Sequence, residues 1–161
     1  MKTKYLSWVP AILIMLIIFN FSSKPAVVSG ESSLMISDQI MRIYEKISDV
    51  HYNEAIRMDK LSILDHYVRK AAHVTEYAIL AATVTLPLWL RKRKGFRLWS
   101  LSVLITAGYA ATDEIHQKFV PGRSGELKDV LIDSAGAALG AFVFIIAATA
   151  LTRHKIKQNR K

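Results

Sequence analysis

Three clusters of basic residues, each free of acids and each set against the end of an apolar run, constrain this chain more than any other feature. They are Lys2 and Lys4; Arg91, Lys92, Arg93, Lys94 and Arg97; and Arg153, Lys155, Lys157, Arg160 and Lys161. Together they take twelve of the 22 bases, which leaves ten against all 13 acids, so the rest of the chain is net −3. A formal charge of +9 could by itself suggest nucleic acid. Its distribution does not give the footprint of a nucleic-acid interface. Bases gathered at the ends of apolar runs are instead the positive-inside pattern of a membrane protein, and 52% apolar residues in a chain of 161 fits one membrane-embedded domain, residues 1–161. Cysteine is absent, which excludes disulfides, zinc–thiolate sites, a thiol nucleophile and a lipidated cysteine.

The apolar runs predict four spans, at about 5–21, 67–90, 98–117 and 128–151. The first follows Met-Lys-Thr-Lys and is longer than a usual signal-peptide core, so a retained span is expected, although Val28-Ser29-Gly30 offers a weak cleavage site. Pro10 sits at its entrance, where a missing amide donor costs least. Ser22-Ser23-Lys24-Pro25 ends that helix, and Ser29–Ser33 reads as a loop. Ile36, Ile40, Ile43, Tyr44 and Ile47 then recur at helical spacing, which predicts an amphipathic helix on the bilayer or over the bundle. Residues 49–62 read as an outer loop, with His51 and His66 in solvent. The expected fold is therefore all-α: an integral membrane four-helix bundle with an outer amphipathic segment between spans 1 and 2. Both termini lie inside, because only that arrangement puts all three basic clusters on one side.

This topology brings the acids to one level. His73 and Glu76 follow an outside entrance, Asp113, Glu114, His116 and Gln117 precede an outside exit, and Asp129 and Asp133 begin the last span. Ionisable groups in such segments are costly to keep and mark functional sites. Asp129, Asp133, Gly136 and Gly140 share a helix face, so the close-packing seam also carries the carboxylates. Ala107 and Ala111, with Gly108 nearby, offer a similar small face on the third span. Between spans 3 and 4, Pro121-Gly122 sets a tight turn that holds Arg123 above the acids, with Phe119 and Val120 at the interface.

Asp113-Glu114-x-x-Gln117-x-Phe119-x-Pro121-Gly122-Arg123, followed by Asp129-Val130-x-x-Asp133-x-x-Gly136-x-x-x-Gly140, resembles the signature of the VanZ-like membrane protein family. So do Lys70-x-x-His73-Val74-x-Glu76-Tyr77-x-x-Leu80 and Phe19-Asn20-Phe21-Ser22-Ser23-Lys24-Pro25. Val74 stands where the family commonly has Phe, and Lys24 where Gln is frequent. Neither touches an ionisable group of the motif. The resemblance implies a four-span bacterial membrane protein whose namesake lowers susceptibility to teicoplanin-type glycopeptides.

The residues themselves allow several chemistries. As an enzyme acting on a lipid-linked or cell-envelope substrate, the chain would use His73, Glu76, Asp113, Glu114 and Asp133 for acid–base work. Lys70, Gln117, Arg123 and Asp129 would hold the substrate, the bases gripping a phosphate. These acids with His73, Asp129 and His116 are also enough imidazole and oxygen ligands for zinc or manganese, but no H-E-x-x-H string is present, and the cofactor stays open. As a binding or shielding protein, the chain would hold a lipid head group or cell-wall precursor. As a structural network, the charges would only fix helix register. Transport fits less well, because the charges stop at one level instead of reaching the midplane.

Overall fold

A computed structural model describes residues 5–159. Lys2, Lys4, Arg160 and Lys161 of the basic clusters lie outside that range. The described residues form five helices and no strand: α1 Val9–Ser22, α2 Ala26–Ser48, α3 Glu54–Leu90, α4 Gly95–Gln117 and α5 Leu127–Gln158. Pro10 stands in the first turn of α1, where its fixed φ suits a helix start and no amide is missed. Pro25 is extended, with φ −53° and ψ 150°, and the chain turns there so that α1 and α2 meet at 103°.

Two stretches expected as loops are helical. Ser29–Ser33 lies inside α2, where serine hydroxyls find partners in the preceding turn: Ser32 the Val28 carbonyl at 3.4 Å and Ser33 that of Gly30 at 3.0 Å. Most of 49–62 belongs to α3, which starts at Glu54 rather than near Tyr67. The Asn53 side chain accepts the Ile56 amide at 2.9 Å and caps it. Arg57 then bonds to Asp38 at 2.6 Å and to Glu45 at 3.2 Å, clasping α3 to α2. His51 and His66 are exposed, as expected.

The inner faces follow from small residues. A Cβ on Gly136 would stand 2.5 Å from the Val74 carbonyl, and one on Gly140 only 2.0 Å from that of Ala78. Backbone thus meets backbone where α5 crosses α3. Gly108 of α4, by contrast, faces open space, while Ala107 and Ala111 of the small face expected there are half-buried. Tyr77, Leu80 and Val84 of α3 pack with Ala11 and Ile18 of α1 and Ala110 of α4. The Tyr109 hydroxyl donates to the Met15 carbonyl at 2.6 Å, and Trp99 Nε1 to that of Ala138 at 3.0 Å.

By length and composition α3 and α5 can each cross a membrane, and the bent α1–α2 pair would make a third span. The 14 residues of α1 reach about 21 Å, short of a hydrocarbon core of roughly 30 Å. The apolar run of α4 is diluted by Ser100, Ser102, Thr106 and Thr112 and closed by its acid pair, and α4 is not among the candidates. Four apolar spans are thus more than composition alone supports. Helix α2 is turned the other way from a soluble amphipathic helix. Ser33, Ser37 and Met41 are buried, while Ile36, Ile40, Ile43, Tyr44 and Ile47 are exposed.

Candidate functional site

The ends of α1 and α4, the middle of α3 and the start of α5 meet around three buried carboxyl groups. Asp113 is the hub. Its Oδ2 accepts the Ser22 hydroxyl at 2.8 Å, Gln117 Nε2 at 3.0 Å and the Tyr77 hydroxyl at 3.2 Å. One oxygen therefore joins α1, α3 and α4. Gln117 in turn accepts Arg123 Nη1 at 3.4 Å. The other donors of that guanidinium reach the Lys24 carbonyl at 2.9 Å and the Phe21 carbonyl at 3.1 Å, capping the end of α1. Burial lowers the Arg123 pKa from its ordinary value, while Asp113, Glu114 and Glu76 push it back up.

The turn that places Arg123 depends on its glycines. Gly122 has φ +75°, where a side chain is strained, and the Pro121 carbonyl accepts the first amide of α2 at 3.2 Å. A Cβ on Gly125 would lie 2.1 Å from the Glu114 carbonyl, so only glycine lets the turn lie against α4. There the Glu126 amide donates to Glu114 Oε2 at 2.9 Å. Val120 is buried in this turn and Phe119 is fully outside it.

Three carboxyl groups are left short of partners, Asp113 at its Oδ1 alone. Glu114 is buried and its Oε1 has no hydrogen bond among the described residues. Asp133 is 1% exposed and neither of its oxygens has one. Its nearest basic atom is His73 Nδ1 at 3.8 Å, beyond hydrogen-bond reach. The cause lies in the packing: with Gly136 against Val74, Asp133 is pressed onto α3 beside His73 and away from water. Asp113, Glu114, Asp129 and Glu76 all act electrostatically on it. Lys70 is ion-paired with Asp129 at the half-exposed rim, and Glu76 is half-buried within range of Asp113 and Arg123.

All nine candidate residues thus fall in one neighbourhood, but they are not equivalent. Asp113, Gln117, Arg123, Lys70 and Asp129 are tied to one another or to the backbone. His116 stands apart, against Phe19 at 4.6 Å between ring centroids and with Nε2 3.2 Å from the Ser23 hydroxyl. No three of the His, Asp and Glu side chains come together in a group that could hold a metal ion among the described residues. Ser22 and Tyr77 were not singled out as site residues from the sequence. Both lie in the motif strings, where Ser22 reads as a helix stop and Tyr77 shares a helical face with Lys70 and His73.

The VanZ/LLP1 family model matches residues 7–148. No curated protein and no solved structure matches the chain. The matched stretch runs from before α1 into α5 and includes every residue of the site. This chain belongs to the VanZ/LLP1 family.

Proposed function

We propose that this chain is a VanZ-type membrane protein working at the outer face of a bacterial cytoplasmic membrane. Its buried carboxyl site binds a component of the envelope and thereby lowers susceptibility to teicoplanin-type glycopeptides. Positive clusters at the α3–α4 turn and on the last turns of α5 support four crossings with both termini inside, as a single domain. α3 is 37 residues, about 55 Å, so its first turns stand clear of a core of roughly 30 Å. They carry the ion pairs to α2, whose isoleucines would rest on the bilayer.

The observation that carries this reading is Asp133. A group that only fixed helix register would be held by its neighbours, as Asp113 is through the three donors on its Oδ2. Buried polar groups without partners are rare and call for an explanation. Asp133 and Glu114 Oε1 are such groups, with His73 beside them at the rim, and a ligand is what would complete them. Asp113, Tyr77, Ser22, Gln117 and Arg123 would then form the frame. Susceptibility to teicoplanin in a host expressing wild type or Glu114→Gln, read against membrane abundance in the same samples, tests it. Wild type should protect and the equally abundant variant should not. Full protection by the variant would sink the reading.

The neighbouring imidazole and carboxyl of His73 and Asp133 favour a second reading, acid–base catalysis on a lipid-linked or envelope substrate. It predicts turnover of a labelled lipid-linked precursor by the purified protein, lost in His73→Gln. Binding without turnover would leave the first reading alone.

A further inference from the structure

The unmet groups of the site are nearly all acceptors, which restricts what can meet them. Asp133 offers two oxygens, Glu114 one and Asp113 one, each buried and without a hydrogen bond among the described residues; His73 Nδ1, 3.8 Å from Asp133, is the one nitrogen of the site in the same condition. The site's positive side chains are meanwhile engaged. Lys70 is paired with Asp129, and Arg123 donates to two carbonyls and Gln117. A phosphate would therefore find few free donors and would face Asp133, Glu114 and Asp113 at once.

A ligand must instead bring donors and, against this excess of acids, positive charge. A metal ion needs its ligands to converge at about 2.0–2.2 Å, and no three of these groups form such a set. Hydrogen bonds from a nitrogen run at roughly 2.7–3.2 Å, so an ammonium suits carboxyl groups spaced more widely. Its three donors equal in number the unmet oxygens of Asp133 and Glu114.

We propose that Asp133 and Glu114 bind a protonated primary amine, the group that an aminophospholipid head group presents at the surface of a membrane. This rests on the reading that the unpartnered carboxyl groups face a ligand. His73 and the Lys70–Asp129 pair, all half-exposed, form the rim past which the amine enters. The lipid's own phosphate stays outside, clear of the acids.

The test uses the full chain purified in detergent, with its thermal unfolding midpoint read against ethanolamine, choline and inorganic phosphate. Ethanolamine should raise the midpoint, because a ligand of the native state alone stabilises it. Choline keeps the charge but has no N–H and should do much less; phosphate should do nothing. Asp133→Asn and, as a second variant if the first folds poorly, Glu114→Gln should abolish the ethanolamine response. Phosphatidylethanolamine enriched over the host membrane in the co-purified lipid, and lost with Asp133→Asn, would mark the lipid as source. An ethanolamine response without that enrichment would support the amine site and assign it a soluble amine. No response to ethanolamine, an equal response to choline, or stabilisation by phosphate would overturn the proposal. If Glu114→Gln loses protection while ethanolamine has no effect, the amine is wrong and the outer site stands. If protection persists and ethanolamine still acts, the amine stands and the link to glycopeptides falls.

Discussion

Asp113 and Asp133 are the same side chain under opposite conditions. Three donors converge on one oxygen of Asp113, and a buried carboxyl so bonded holds helices together. Asp133 is as deeply buried with no hydrogen bond at all. Sequence alone ranked the two alike, because spacing gives the face of a helix but not the donors on its neighbours. A third aspartate, Asp38, supports a pH prediction. Hydrogen bonds first from Arg42 and then from Arg57 hold its carboxyl below the ordinary aspartate value of 3.8. A pKa lowered by folding means that the clasp contributes fully above the unfolded value and is lost as pH falls through the folded one. Hydrogen-exchange protection along α2, corrected for intrinsic rates, should therefore be flat from neutral pH to about 4 and drop below it. Asp38→Asn should lower that protection already at neutral pH. A wild-type profile that stays flat to lower pH would show that the clasp does not hold α2.

Among the elements, the contact of α5 with α3 decides whether the site exists. Gly140→Ala drives a Cβ to 2.0 Å from the Ala78 carbonyl, a backbone atom that cannot turn aside. The helices must separate, at a cost of about 1–3 kcal/mol or more, and Asp133 leaves its place beside His73. Gly108→Ala meets nothing and should be neutral or gain about 0.5–1 kcal/mol from better helix propensity. Unfolding midpoints of the two variants check this, and equal shifts would contradict the packing argument. The Gly136–Gly140 seam was legible as a period in the sequence. Its partner was not, since a small-residue stripe fits any backbone, and Gly108, beside a similar stripe on α4, faces open space. Helix limits differ from the expected ones where polar residues lie within or cap a helix instead of ending it. Asn53 caps α3, and the serines of α2 bond to its own turns.

At the scale of the whole molecule, the level of the acids was the most legible property, because charge clusters and apolar runs order the crossings without reference to side-chain contacts. Residues from four helices, among them Ser22 and Asp113 at 91 positions apart and His73 and Asp133, do come together. What each does there depended on contacts that no period encodes: Arg123, expected to face the acids, spends most of its donors on the end of α1. The account therefore assigns two duties to one cluster, a frame built on Asp113 and a ligand-facing pair built on Asp133. The most direct test is teicoplanin protection per molecule in the membrane for Asp133→Asn and Asp113→Asn in one host. Asp133→Asn should keep wild-type abundance and lose protection. Asp113→Asn should lose abundance, as expected for a hydrogen-bonded charge worth about 1.5–3 kcal/mol per bond, and protect in proportion to what remains. The reverse pattern, with Asp133→Asn protecting fully at normal abundance, would contradict the account.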